Sequence, residues 1–271
     1  MFPLAGKAFP RNADELTVAI HDALTEVLSL PKKLTPVIVD APKYPAVKRL
    51  KVELNGATVS ATEPPPKPKP AGKRQPGLHV DELEIIGRPI RYEASKLNLQ
   101  LKAKAVSFDF AKDKRGQPLL VLSNAGEGHV DAKIGKADIE SLATAAAGIA
   151  AKEHGVTIKD VDVDLRAQGP RSVTADVRVQ AKKMLVSGVI HITGKLDVDD
   201  ELNATVSGLA CRGDGVVGTL VAGLVQSKIK SYNGHRVPLV AFSLGDVCLR
   251  DLKINVKDGL HVTARFGKQD E

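Results

Sequence analysis

Two hydrophobic periods alternate along this chain. Apolar residues at helical spacing occupy three stretches. The first runs over residues 12–30, with Leu16, Ile20, Ala23, Leu24 and Val27 on one face behind an Asn12 cap. The second runs over 137–154, with Ile139, Leu142, Ala143, Ala146, Ile149 and Ala150, and is stopped by Gly155. The third runs over 214–234, between Asp214 and an Asn-Gly stop, and is apolar over most of its circumference: Val216, Val217, Leu220, Val221, Leu224, Val225 and Ile229. Inside it, Gly218 and Gly223 each lower helix stability by about 0.8–1 kcal/mol against alanine, which points to close approach by a neighbour. Between the helices the period falls to two. Leu97, Leu99, Leu101, Ala103 and Ala105 alternate with polar residues, as do Val173, Ala175, Val177 and Val179, so the pattern predicts half-buried antiparallel strands over 97–110 and in a meander over 161–210. Gly188 and Gly194 interrupt the longest meander strand, where a bulge or bend is expected. Further strands are predicted at 47–61, 78–86, 119–123, 129–134, 237–244, 247–256 and 260–266.

The stretch 62–77, TEPPPKPKPAGKRQPG, breaks both periods. Proline supplies no ladder donor, so the expectation is a flexible, extended Pro/Lys-rich loop rather than a central strand. Its Lys67, Lys69, Lys73 and Arg74 stand against one acid, Glu63, and form the candidate contact with an anionic membrane surface. A net charge of +7 favours acidic partners in general. Aromatic residues make up only 3% of the chain and Trp is absent, so the stacking that single-stranded nucleic acid requires is missing; no nucleic-acid partner is expected. No window approaches the ~18 uninterrupted apolar residues of a spanning helix, and the N-terminus lacks a continuous apolar core of the export type. The expectation is a soluble, cytoplasmic or peripheral membrane protein, or an envelope protein if the chain is trimmed from a precursor.

Catalytic patterns are not found. The seven histidines are dispersed without metal-ligand spacing, and no nucleophile elbow, phosphate loop or dinucleotide fingerprint is present. GEGHVD at 126–131 reads as a hairpin turn. Asp197, Asp199, Asp200 and Glu201 lack the order of a calcium loop and read as a solvated turn. Cys211 and Cys248 are too few for a zinc site, and free buried thiols are the simplest reading, although pairing between neighbouring strands stays open. No enzyme activity, cofactor or metal is expected.

The apolar inventory is aliphatic, with repeated alanine and glycine, and such an interior can be hollow. An apolar hollow is a site for a chain-like ligand. A solid-cored scaffolding module is the alternative, with an enzyme of unknown class behind it. Three segments carry a resemblance: PVIVDAPKYPAVKRLKVELNGATVSA (36–61), GKADIESLATAAAG (135–148), and the closing strand, helix and strand order of VSGVIHITGKLDVDDELNATVSGLACRGDGVVGTLVAGLVQSKI (186–229), ending in RVPLVAFSLGDVCLRDLKINVKDGLHVTARFG (236–267). In arrangement they resemble the LmeA-like phospholipid-binding proteins of bacteria, associated with the tubular lipid-binding superfamily. The resemblance implies one α+β domain over 1–271, a long curved antiparallel sheet wrapped around long apolar helices, with a phospholipid or fatty acyl chain between them. On that arrangement Val217, Leu220, Val221, Leu224 and Val225 line the cavity with Leu142, Ala146 and Ile149, and Leu16, Ile20 and Leu24 stand near one end.

Overall fold

The computed structural model describes residues 1–59, 68–152, 155–199, 203–238 and 248–267. In chain order the elements are β1 (Phe2–Pro3), α1 (Ala13–Thr25), β2 (Leu28–Ser29), β3 (Val37–Asp40), β4 (Ala46–Glu53), β5 (Thr58–Val59), β6 (Pro70–Tyr92), β7 (Ser95–Asp113), β8 (Pro118–Asn124) and β9 (Glu127–Gly135). They continue with α2 (Lys136–Lys152), β10 (Thr157–Gly169), β11 (Ser172–Lys183), β12 (Val186–Val198), β13 (Asn203–Asp214), α3 (Gly215–Tyr232), β14 (Arg236–Pro238), β15 (Cys248–Asn255) and β16 (Gly259–Gly267).

This order corrects the expected fold class. Among the described residues the protein is mostly β, strands taking about three times as many residues as the three short helices, and its large sheet is mixed. The predicted helices exist, but a residue advances a helix by about 1.5 Å and a strand by about 3.3 Å. The 18 residues of α3 therefore span roughly 27 Å, while the 23 of β6 cover roughly 75 Å of chain. Among the described residues no helix approaches the length of β6. Nor is the large sheet purely antiparallel. β4 runs parallel to β6, with Ala46 opposite His79 and Glu53 opposite Ile86, and β5 also meets β6 in parallel. The larger sheet has the order β15-β16-β9-β7-β6-β4-β3, with β8 on β7, β1 on β8, and β5 joining β2 to β6. The smaller sheet is an antiparallel meander, β10-β11-β12-β13-β14.

Two further boundaries moved for local reasons. The predicted strand 47–61 breaks at Asn55-Gly56, where Gly56 takes φ 74, leaving β4 and the short β5. The Pro/Lys stretch enters β6 from Pro70 onward, whereas 60–67 lie outside the described residues. There, prolines are tolerated: Pro70 opens the strand, and register shifts flank Gln75 and Pro76 opposite β7.

By contacts the chain divides into two compact units. The first comprises Met1–Ala132, Phe242–Asp251 and Thr263–Glu271. In it α1 begins at an Asn12 cap: Asn12 Oδ1 accepts from the Glu15 backbone N–H at 2.9 Å, and the Glu15 carboxylate accepts from the N–H of the preceding Arg11 at 2.8 Å. Leu16, Ile20 and Leu24 on α1 face a core with Val47, Leu50, Leu78, Val80, Val106 and Phe110. The second unit comprises Lys133–Ala241 and Leu252–Val262. Its meander shows the predicted alternation, with Val161 opposite Val179 and Val163 opposite Val177 on the helix side. Gly194 stands at a register shift between Thr193 and Lys195, as a strand glycine predicts. Gly155, at φ 63, ends α2 by bonding back to Lys152 O at 3.1 Å.

Candidate functional site: an apolar cavity in the first unit

α1 does not close down on the sheet of the first unit. Between them lies a cavity of about 370 Å³, roofed by Ile20 and Leu24 and floored by inward residues of four strands. Leu50 and Val52 come from β4, Leu83 and Ile85 from β6, Leu101, Ala103, Val106 and Phe108 from β7, and Leu120 and Leu122 from β8. Met1, Phe2, Leu54, Ala125 and Phe266 complete the wall. Every lining residue is apolar, and among the described residues no buried side-chain polar atom lacks a partner. The lining thus offers dispersion and exclusion of water, with nothing to activate a substrate.

Leu50 of β4, Leu83 and Ile85 of β6, and Leu120 and Leu122 of β8 line the space opposite Ile20 and Leu24 of α1. Ala103 is the small residue in the floor, buried between Leu101 and Val106. Phe266 from β16 lies across Gly128 of β9, where any Cβ would overlap its ring. The phase of β7 changes at Ala105, which takes φ 50 and is exposed, so Leu101 and Ala103 are followed inward by Val106 and Phe108.

The other face of these strands is wet. Arg49, Glu82, Glu84, Lys102 and Lys104 line a charged groove of about 920 Å³. Its ion pairs, Arg49–Glu82 at 3.8 Å and Lys102–Glu84 at 3.4 Å, run across paired strands; the first is solvent-exposed and in the second only Glu84 is partly buried, so they match charge along the sheet more than they stabilise it.

Of the expected cavity residues, Ile20 and Leu24 line the space, and Leu16 is fully buried beside them in the same core. The others belong to the second unit. Val217 and Val221 are buried under α3 against the meander, while Leu220 is half-exposed. On α2, Leu142 is half-buried, and Ala146 and Ile149 are exposed. The side chains of Leu224 and Val225 lie outside the described residues, as does Lys67. Lys69, Lys73 and Arg74 are exposed, the last two near the start of β6. The strand residues of the floor carry most of the cavity, and the inward positions in 83–85, 101–103 and 120–122 were its signal in the sequence.

The remaining candidate groups are committed elsewhere. Asp197 is held by Lys195 at 2.8 Å and by the Ser172 hydroxyl at 2.7 Å, which lower its pKa. Asp199 accepts from the Asn203 backbone at 2.8 Å and pairs with Arg236, and its pKa is lowered too, the Asn203 backbone bond contributing most. Asp200 and Glu201 lie outside the described residues. Cys211 is a free thiol, half-buried on the helix side of β13, and burial raises its pKa; the Cys248 side chain is outside the described residues. GEGHVD is not the expected hairpin turn: Glu127 to Asp131 belong to β9, and β8 and β9 each lie on β7 rather than on one another. Among the described residues no cluster of His, Cys, Asp and Glu could hold a metal, and no helix is long and apolar enough to cross a membrane. No family model, curated protein or solved structure matches this chain.

Proposed function

We propose that the protein is a non-catalytic lipid-binding protein that takes up a single acyl chain in the cavity of the first unit and exchanges it with membranes. The observation that carries this reading is the all-apolar wall around about 370 Å³ of space. At about 30 Å³ for a methylene-sized group, the volume suits roughly a dozen carbons, hence one chain of a fatty acid or lysophospholipid, with a headgroup left outside. Burying them is worth about 0.8 kcal/mol each against water, roughly 10 kcal/mol before the cost of ordering the chain. Against a bilayer the transfer is nearly neutral, because both sites are dry. Such a carrier holds its ligand in water and releases it at a membrane.

The test is a titration of the protein with a fluorescent polyene fatty acid. Saturable enhancement at one ligand per chain, lost in Ala103→Phe, is the expected result. A wild-type protein that gives no enhancement, or an Ala103→Phe variant that binds equally well while folded, overturns the reading.

A further inference from the structure

One of the two-residue hairpins of the second unit has an unusual tip. Lys183 pairs with Val186, so Met184 and Leu185 alone make the turn between β11 and β12. Two-residue hairpin loops favour Asn, Asp and Gly, because their backbone needs positive φ. Met184 nevertheless takes φ 54, a conformation that disfavours a side chain of this size, and it is 89% exposed, with Leu185 at 92%. The equivalent positions of the β6–β7 hairpin hold Glu93 and Ala94, and those of β10–β11 hold Pro170 and Arg171. A strained and exposed Met-Leu pair opposes folding on both counts, which directs attention to what meets it.

The tip is not alone. Thr157 at the start of β10 pairs with Lys182, and α2 reaches that point through Ala151, so the last turns of α2 lie at the same end of the meander. Gly215, where α3 begins, lies beside Ser187 and Gly188. Each helix adds an exposed apolar side chain there: Ile149 at 73% from α2 and Val216 at 78% from α3. Around them stand Lys152, Lys159, Lys182 and Lys183, against Asp160 and an Asp214 that pairs with His191 at 3.2 Å. Apolar points ringed by lysines match a lipid interface, where the apolar groups enter below the phosphates that the cations meet.

We propose that this end of the second unit docks on anionic bilayers, with Met184 and Leu185 entering the boundary between headgroups and acyl chains and Lys182 and Lys183 engaging lipid phosphates. The inference goes beyond the cavity reading and does not depend on it. Basic charge alone gives only a salt-sensitive attraction, whereas the inserted pair adds a component that salt does not screen.

The chain contains no Trp, so Leu185→Trp provides a single reporter at the tip. Its emission shifts to the blue and is quenched by brominated acyl chains on adding vesicles of phosphatidylcholine with phosphatidylglycerol, and shifts little with phosphatidylcholine alone. In co-sedimentation with the mixed vesicles, Met184→Asp/Leu185→Asp lowers partitioning about a hundredfold with an unchanged circular dichroism spectrum. Lys182→Gln/Lys183→Gln lowers it about tenfold. Ala103→Phe, which fills the cavity, docks like wild type, so a failed cavity leaves this signal intact. An indole emission in Leu185→Trp that does not respond to the mixed vesicles overturns the proposal, as does an aspartate variant that sediments like wild type. A blue shift that appears without lipid and grows with protein concentration overturns it in favour of a second copy of the chain as the occupant.

Discussion

Each unit lays a helix on the dry face of a sheet, and the two solve the contact in opposite ways. In the second unit α3 descends until backbones meet. A Cβ on Gly213 would strike Gly218, one on Gly218 would strike Val189, and one on Gly188 would strike Gly218 again. Ala181 and Ala222 fill what little room is left in that core. In the first unit α1 faces leucines and isoleucines and stands off them, with the cavity in between. Glycine lets α3 close on its sheet, whereas the apolar cavity lies under α1.

The sharpest way to break this contrast is Gly218→Val, which drives a branched side chain into the β12 backbone. It is expected to destabilise the second unit by at least about 3 kcal/mol in urea unfolding. A folded variant of near wild-type stability would remove the glycine contact from the account. Next is filling the first unit. Ala103→Phe should leave stability within about 1 kcal/mol because the space already exists, while fatty-acid affinity falls at least about tenfold. Within α3 itself, a Cβ on Gly223 meets nothing within 4 Å, so Gly223→Ala should stabilise by about 0.8–1 kcal/mol, opposite in sign to Gly218. Equal effects at the two glycines would mean that backbone propensity alone governs both.

A smaller effect separates the units by pH. The Tyr44 hydroxyl donates to Pro10 O at 2.8 Å, and burial, aided by the Glu15 charge, raises its pKa from 10 to about 12. The unfolded chain ionises first, so the stability this group contributes is present below pH 10 and is lost between pH 10 and about 12. The unfolding midpoint of the first unit should fall across that window in wild type and not in Tyr44→Phe. The smallest expected change is at Ala146, exposed on α2: Ala146→Trp should leave fatty-acid binding unaltered.

Much of this was legible in local pattern. Most helix boundaries follow from period and caps: Asn12 begins α1 and Gly155 ends α2 where expected, whereas α1 stops at Thr25, short of residue 30, because Leu28–Ser29 pair with β5. The meander strands follow from alternation, and Gly194 marks its bulge. Gly218 was readable as a site of close approach, but Gly223, of identical sequence character, faces open space, because only the packed partner distinguishes them. Architecture was less accessible. Which sheet a helix covers depends on contacts distant in sequence, so α2 and α3 could not be assigned away from α1 by their apolar faces alone. The parallel β4–β6 pairing likewise joins residues some thirty positions apart, and its register has no local signature. At the cavity, Ile20 and Leu24 were accessible from helical spacing, whereas Val106 and Phe108 were hidden by the phase change at Ala105.

The decisive experiment is native mass spectrometry of the protein after incubation with fatty-acid-loaded vesicles. If the cavity holds an acyl chain, one adduct of single-chain lipid mass is present in wild type and in Gly223→Ala and absent from folded Ala103→Phe. A wild-type spectrum without adduct, or an adduct that survives filling the cavity, contradicts it.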